Sequence, residues 1–262
     1  MTTAFEDLTL TFHDDHAVIL LNRPERLNAM AYRSWQDMLQ ALSMVEAEPS
    51  VRSVVLRGAG RAFCAGDNLR GMGPTPYPND RFKQMASHSV FPVVKRMREL
   101  EKPIINVAHG VAMGAGLEMF IAGDIRLATA DCKLGIPFAK LGLAGLHHSL
   151  PRYVGFTKAA EMLFTGEPID GAEAAASGLL TAVIPDETQI DLYVSKWTRK
   201  FTEVSTTSIA VMKRTFYRAF ETSPEDWVPR SWLHLNTLDR TDYNARTARW
   251  KSAGANAEAK GE

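Results

Sequence analysis

A run of small residues followed by an acid, Gly114-Ala115-Gly116-Leu117-Glu118, restricts the fold of this chain more than any other feature. The stretch before it, residues 103–111, is rich in isoleucine and valine and predicts a buried strand. The apolar residues after it predict a buried helix. Glycine permits a sharp turn and lets another molecule approach the backbone. We therefore expect a strand that ends in a tight turn directly before a helix.

The chemistry expected at this turn comes from the main chain and from one side chain. The first N–H groups of a helix have no partner inside the helix, and the helix dipole favours negative charge near them. The N–H of Ala115 is therefore a candidate donor to an oxyanion. Glu118 lies three residues further on, which places the two side chains on one helix face with Cβ atoms about 5–6 Å apart. One bound carbonyl group is expected to meet both residues.

A second segment of the same kind occurs earlier in the chain. Residues 53–57 predict a strand, which runs through Gly58-Ala59-Gly60-Arg61 into residues 62–69. A turn of small residues followed by polar groups again comes after a strand. The N–H groups of Asp67 and Ala115 are then expected to meet at one oxygen, as an enzyme holds an enolate or a tetrahedral oxyanion.

With these two turns, the chain resembles the enoyl-CoA hydratase/isomerase (crotonase) superfamily over nearly its whole length. The matching segments are residues 21–30, 62–69, 110–128, 164–169 and 174–184. The resemblance implies an α/β fold, a crotonase-like spiral of ββα turns with a C-terminal helical region. It also implies an acyl-CoA substrate, with coenzyme A as part of that substrate and with no separate cofactor or metal.

The resemblance assigns roles to particular positions. It implies that the N–H groups of Asp67 and Ala115 bind the thioester carbonyl, and that Glu118 is one of the two catalytic glutamates of the hydratases. The second glutamate position is occupied by Phe138, which is a departure from the hydratase pattern. The implied substrate-binding positions are Arg26, Leu27, Ala29, Ala65, Gly66, Asn68, Leu69, Gly114 and Phe138.

A further departure follows Phe138. Where the family usually has a glycine-rich loop, this chain has residues 143–151, which include His147 and His148. An imidazole titrates near neutrality, so either histidine is a candidate replacement for the missing acid. The alternative is that both histidines are exposed or serve only structural hydrogen bonds.

The reaction is left open by these two changes. Hydration by two carboxylates needs one group that activates water and one that delivers a proton. Movement of a double bond needs one base, and decarboxylation needs chiefly enolate stabilisation. We rank a hydratase or an isomerase with a single glutamate first, and an acyl-CoA decarboxylase or a non-catalytic acyl-CoA-binding protein as alternatives. Glu118 counts against pure binding, because a carrier has no evident use for a carboxylate at that place.

Composition excludes some classes of partner. The 262 residues include 30 basic and 30 acidic side chains, so no net charge draws the chain to nucleic acid or to a membrane surface. The phosphates of coenzyme A would need a local cation, for which Arg26 is the nearest candidate; a solvated surface arginine is the alternative. Two cysteines are too few for a disulfide framework, and a cytoplasmic protein is expected.

The remaining segments predict the organisation of the chain. Residues 8–13 and 17–21 predict a hairpin, and residues 34–47 predict a helix. We expect a spiral core over residues 1–189, a C-terminal helical trimerisation region over 190–252 and a disordered tail over 253–262. A loop is predicted over residues 71–80 and a helix, interrupted at Pro92, over 82–100. The resemblance implies a homotrimer or a dimer of trimers.

Overall fold

The computed structural model describes residues 1–69, 89–143, 149–217 and 240–260, with only the main chain from residue 253 onwards. These residues belong to two compact units, Met1–Glu203 and Val204–Glu262. The helix Ile190–Thr202 belongs to the first unit. The boundary expected after residue 189 stays a prediction.

The first unit is built on a seven-stranded sheet. Its strands, in chain order with those of a smaller second sheet, are β1 (Thr2–Ala4), β2 (Leu8–Phe12), β3 (His16–Leu21), β4 (Ser53–Gly58), β5 (Ile104–Ala108), β6 (Val111–Met113), β7 (Ile125–Thr129), β8 (Lys133–Gly135) and β9 (Ala182–Ile184). The large sheet has the order β1-β2-β3-β4-β5-β7-β9, and β6 pairs with β8 in the small one. The predicted hairpin is confirmed, since β2 and β3 pair antiparallel with Leu10 opposite Ile19.

From β3 to β9 the large sheet is parallel. All five residues of β5 are buried, as expected for a strand covered on both faces. Parallel strands have their carboxyl ends at the same edge of a sheet. The segments that follow β3, β4 and β5 therefore leave the sheet side by side. They contain the predicted site residues apart from Phe138, His147 and His148, which follow β8.

Six described helices surround the sheets in the first unit: α1 (Tyr32–Ala47), α2 (Val90–Glu99), α3 (Ala115–Ile121), α4 (Leu150–Thr165), α5 (Gly171–Ala176) and α6 (Ile190–Thr202). The order β5-β6-α3 is a ββα turn, with one strand in each sheet. The strands β7 and β8 repeat this arrangement, and β6 and β8 pair parallel. The predicted spiral of ββα turns is thus confirmed.

The larger core lies between the sheets and helices α1 to α4. In α1 its members recur at helical spacing, with Trp35, Met38, Leu42 and Val45 all buried. A smaller core lies where α6 covers the large sheet; it includes Val55, Ile105, Val107, Leu127, Ile184 and Val194. Together the two cores bury both faces of the central strands.

The second unit contains two described helices, α7 (Thr206–Phe216) and α8 (Arg240–Lys260). Ser205 precedes α7 and accepts a hydrogen bond from the N–H of Ser208 at 3.3 Å, as an N-cap residue does. Its hydroxyl also donates to Asp242 of α8, whose carboxylate accepts from Arg246 Nε at 2.8 Å. The disorder expected from residue 253 onwards stays a prediction, and the described main chain is helical to Lys260.

No helix among the described residues combines the length and the apolar character that a bilayer crossing requires.

Candidate active site

The first predicted turn, residues 64–67, lies between two neighbouring segments. On one side, the N–H of Met30 donates to Gly66 O at 2.8 Å, and the N–H of Asn68 donates to Met30 O at 2.9 Å. On the other side, the N–H of Cys64 donates to Val111 O of β6 at 3.0 Å. The turn is therefore held by main-chain hydrogen bonds to the segment before α1 and to the strand before α3.

These hydrogen bonds determine the direction of the Asp67 N–H. The peptide bond between Gly66 and Asp67 is trans, so its carbonyl and its N–H point in opposite directions. Because Gly66 O points at Met30, the N–H of Asp67 points away from Met30. Within the described parts of the chain, this N–H donates no hydrogen bond.

The second predicted turn, which contains Gly114 and Ala115, places the Ala115 N–H beside the first turn. Gly114 adopts φ +54° and ψ −122°, a conformation that favours glycine. Gly114 O accepts from the N–H of Glu118 at 3.1 Å inside α3, so the N–H of Ala115 in the same peptide points out of the helix. A Cβ atom placed on Gly66 would lie 3.3 Å from Ala115 N, which puts the two turns in direct contact.

Glu118 lies in α3 and is only 7% exposed. A carboxylate is seldom buried to this degree unless it is paired or functional. The structure thus places the turns that contain the N–H groups of Asp67 and Ala115 in contact, and it buries Glu118 in the helix that begins at Ala115. The catalytic roles of these three groups stay predictions. No group of three or more metal-binding side chains occurs among the described residues.

Phe138 contacts this site directly. Its ring packs on Gly114, since a Cβ atom placed on that glycine would lie 3.0 Å from Phe138 Cε1 and 3.6 Å from Cζ. The ring is partly buried against the larger core. The position predicted to carry a second acid in a hydratase is thus beside the Ala115 N–H and is apolar.

Sequence reasoning missed Asn28, which is 1% exposed. Its side-chain NH₂ donates to Ala59 O at 2.9 Å and to Ala62 O at 2.8 Å, and its side-chain oxygen accepts from Arg23 N at 2.9 Å. Asn28 also has φ +55°, a conformation that asparagine tolerates better than most residues. This side chain joins the segment after β3 to the turn after β4.

Sequence reasoning also missed the side-chain environment of Asp67. The indole Nε1 of Trp35, in α1, donates to Asp67 Oδ1 at 3.1 Å. Burial raises the pKa of the Asp67 carboxyl, and the hydrogen bond from Trp35 opposes that rise. The two residues are 32 positions apart, so no local pattern could have indicated the contact.

The other predicted substrate-binding residues surround the two turns in different ways. Gly66 and Gly114 are buried; Leu27, Ala29, Ala65 and Asn68 are partly exposed. Leu27 O accepts from Ala65 N at 2.9 Å. Leu69 is 49% exposed, and Arg26 is exposed at the end of a short 3₁₀ turn, Pro24–Arg26. Arg26 and Leu69 are therefore exposed, whereas the other six of these residues are buried or partly buried.

Several predictions fall on residues outside the described part of the chain. His147 and His148 lie there, and so do the loop predicted over residues 71–80 and the start of the helix predicted from residue 82. The described helix α2 begins after Ser89, its N-cap, and runs through Pro92 in its first turn, so the interruption predicted at Pro92 is wrong; proline is tolerated in the first turn, where its missing N–H would have no partner. The roles suggested for the two histidines stay predictions.

Comparisons with known proteins agree with one another. A family model described as enoyl-CoA hydratase/isomerase matches residues 12–235. The chain is 34% identical over 205 residues to a probable enoyl-CoA hydratase of Bacillus subtilis, which covers 77% of this chain and 78% of that protein. It is 36% identical over 179 residues to 1,2-epoxyphenylacetyl-CoA isomerase of Escherichia coli, covering 66% of this chain and 68% of that protein.

Among solved structures, the fold is similar to that of an enoyl-CoA hydratase of Mycobacterium smegmatis. The TM-score is 0.85 at 27% sequence identity, with 95% of this chain and 97% of that chain covered.

Proposed function

Because this chain belongs to the enoyl-CoA hydratase/isomerase family, we propose that it moves a double bond in an acyl-CoA thioester with Glu118 as its single catalytic carboxylate. Membership makes it an enzyme that acts on an acyl-CoA substrate. The family contains both hydratases and isomerases, as the names of the two relatives show. The choice between the two reactions depends on the residues beside the thioester.

The choice between hydration and isomerisation rests on the contact between the Phe138 ring and Gly114. A hydratase that uses two carboxylates needs a second acid there to help activate water and transfer its proton. An aromatic ring neither accepts a proton nor orients a water molecule, and it excludes water from the space that it fills. The described residues therefore favour a reaction in which no water is added.

Isomerisation needs only the groups that are present. The Glu118 carboxylate removes a proton from C2 of a 3-enoyl thioester, and the electron pair moves to the thioester oxygen as a dienolate. The same carboxyl then returns the proton at C4, while the electrons shift back and leave the double bond between C2 and C3. One base serves both steps, and no atom is gained or lost.

The negative charge on the thioester oxygen is stabilised by the two main-chain N–H groups of Asp67 and Ala115. Removal of one such donor costs about 2.7–4 kcal/mol of barrier in a well-studied hydrolase. These donors are held in place before the substrate arrives, so little reorganisation accompanies the reaction.

The acyl group is expected to be apolar and, in its preferred form, aromatic. A ring stacked on Phe138 would gain about 0.5–1.5 kcal/mol beyond the burial of its area. The name of the Escherichia coli relative, an isomerase of a phenyl-substituted acyl-CoA, supports this class of substrate.

Coenzyme A would enter as part of the substrate. Assembly as a homotrimer or a dimer of trimers is also part of the proposal.

The test is turnover by the wild type and by Glu118→Gln with a 3-enoyl-CoA, crotonyl-CoA and methylmalonyl-CoA. We expect the wild type to isomerise the 3-enoyl-CoA faster than it hydrates crotonyl-CoA, and the variant to lose about 10²- to 10⁴-fold of that rate. Glu99→Gln, at an exposed glutamate in α2, is the matched control. Faster hydration or decarboxylation, or an unchanged rate in Glu118→Gln, would contradict the proposal.

A further inference from the structure

The carboxyl group of Asp67 belongs to the same residue whose main-chain N–H is assigned to the thioester oxygen. This carboxyl accepts the indole N–H of Trp35 at 3.1 Å. Trp35 is 2% exposed and belongs to the larger core, so its ring has little freedom to move. The contact therefore connects a rigid part of the core to a turn whose orientation matters for catalysis.

We propose that Trp35 is a positioning residue, whose indole N–H holds Asp67 so that the Asp67 main-chain N–H stays directed at the thioester oxygen. The inference rests on the proposed function, because it assumes that this N–H stabilises an enolate.

The need for such a contact comes from Gly66. This residue has φ +96° and no Cβ, so it has no side chain of its own to oppose rotation of the peptide that joins it to Asp67. A half-turn of this peptide would direct the Gly66 carbonyl at the substrate and remove the N–H. An oxygen that faces a developing oxyanion would repel it.

Two contacts oppose that rotation, one on each side of the peptide. The N–H of Met30 holds Gly66 O at 2.8 Å, and Trp35 holds the Asp67 side chain. Met30 precedes the N-cap residue of α1, Ala31, and Trp35 lies in the first turn of that helix. Residues at the start of this helix thus hold both Gly66, before the peptide bond, and Asp67, after it.

The hydrogen bond between Trp35 and Asp67 is strengthened by the low polarity of its surroundings. The described charges that act on the Asp67 carboxyl include no cation, and its only described side-chain donor is the indole. Loss of the indole N–H would leave the carboxyl without its partner, and it would turn towards water. The main chain of Asp67 would be expected to follow.

The experiment is a double-mutant cycle with Trp35→Phe and Asp67→Ala. Trp35→Phe removes the N–H and keeps an aromatic ring; Asp67→Ala removes the acceptor and keeps the main-chain donor. We expect each to lower kcat about ten- to hundredfold, the loss of a hydrogen bond to a charged group, with a much smaller change in KM. The double variant should be no worse than the poorer single variant, within about twofold, because both remove one contact.

Two further variants separate positioning from general stability. Asp67→Asn keeps an oxygen that accepts the indole N–H, so it should restore most of the activity that Asp67→Ala loses. Trp197→Phe changes a partly buried tryptophan of α6 that packs against the other core cluster, and it should leave kcat unchanged.

A second readout does not depend on which reaction the enzyme catalyses. Acetoacetyl-CoA forms an enolate with its own ultraviolet absorbance, so bound ligand reports how strongly the site stabilises that enolate. We expect the wild type to show the enolate signal at neutral pH, and Trp35→Phe to lose most of it while still binding the ligand.

The outcomes distinguish the inference from the function on which it rests. Equal kcat and enolate signal in Trp35→Phe and wild type, or additive losses in the double variant, would overturn the positioning role alone. Turnover lost in Glu118→Gln with a strong enolate signal in Trp35→Phe would leave the proposed function intact. A wild type that shows no enolate signal would overturn the oxyanion site and the inference together.

Discussion

Phe138 is the residue that separates the candidate reactions, because it stands where a second carboxylate would act. Its ring lies on Gly114, next to the Ala115 N–H. We expect the backbone there to tolerate another side chain at position 138. The two chemistries should therefore be interchangeable by substitution at this position.

Phe138→Glu should gain hydration of crotonyl-CoA, since a carboxylate beside the oxyanion site can activate water and general acid-base catalysis contributes about 10²- to 10⁴-fold. The increase over the wild type is measured by the loss of enoyl thioester absorbance. Phe138→Leu is the control, because it keeps an apolar side chain and should retain isomerisation. A Phe138→Glu variant that folds, binds acyl-CoA and hydrates no faster than the wild type would argue against this role.

At the scale of elements, the site depends on segments that follow three neighbouring parallel strands. Asn28 makes three hydrogen bonds to main-chain groups, one within the segment after β3 and two to the segment after β4. The side chain of Asn28 and its hydrogen bond to Ala62 O are buried, so Ala62 O in particular would lose its partner without gaining water.

Asn28→Ala should lower the free energy of unfolding by about 2–4 kcal/mol, since an unsatisfied buried polar group costs about 1–3 kcal/mol and alanine is poorly suited to φ +55°. Urea unfolding measures the change. The exposed Asn22 provides the control, and Asn22→Ala should change stability by less than about 0.5 kcal/mol. A loss below about 1 kcal/mol in Asn28→Ala would show that the described network contributes little.

The elements that could be predicted from the sequence are those marked by a pattern within a short stretch of residues, such as apolar periodicity or a run of small residues. The β2–β3 hairpin, helix α1 and the small-residue turns at Gly66 and Gly114 all have such patterns, and the structure has these elements where they were expected. The contacts of Asn28 with Ala59 and Ala62, and of Trp35 with Asp67, have none, because these partners lie 31 to 34 residues away along the chain. They exist only once β3, β4 and α1 have packed together.

At the scale of the whole molecule, two buried thiols make stability depend on pH. Burial raises the pKa of Cys64 and of Cys132 to about 12, from an ordinary value of 9.0. The folded state therefore favours the protonated thiols, whereas the unfolded chain ionises them near pH 9. Their contribution is fully present below about pH 9 and is lost as the pH rises towards about 12.

Between about pH 9 and about pH 11, each thiol should reduce the free energy of unfolding by about 1.4 kcal/mol per pH unit. Urea unfolding at several pH values measures this slope. The double variant Cys64→Ala with Cys132→Ala removes the thiols but leaves lysine and tyrosine titration in place, so its slope should be shallower by up to about 2.8 kcal/mol per unit. Equal slopes would contradict the burial of these thiols.

The most direct measurement of the central claim is a crystal structure of the protein with acetoacetyl-CoA bound. We predict that the thioester oxygen lies about 2.7–3.2 Å from both Asp67 N and Ala115 N, as two N–H···O hydrogen bonds require. The Glu118 carboxyl should face C2 of the acyl group, with the Phe138 ring beside it. A thioester oxygen that contacts only one of the two main-chain N–H groups, or neither, would contradict the account.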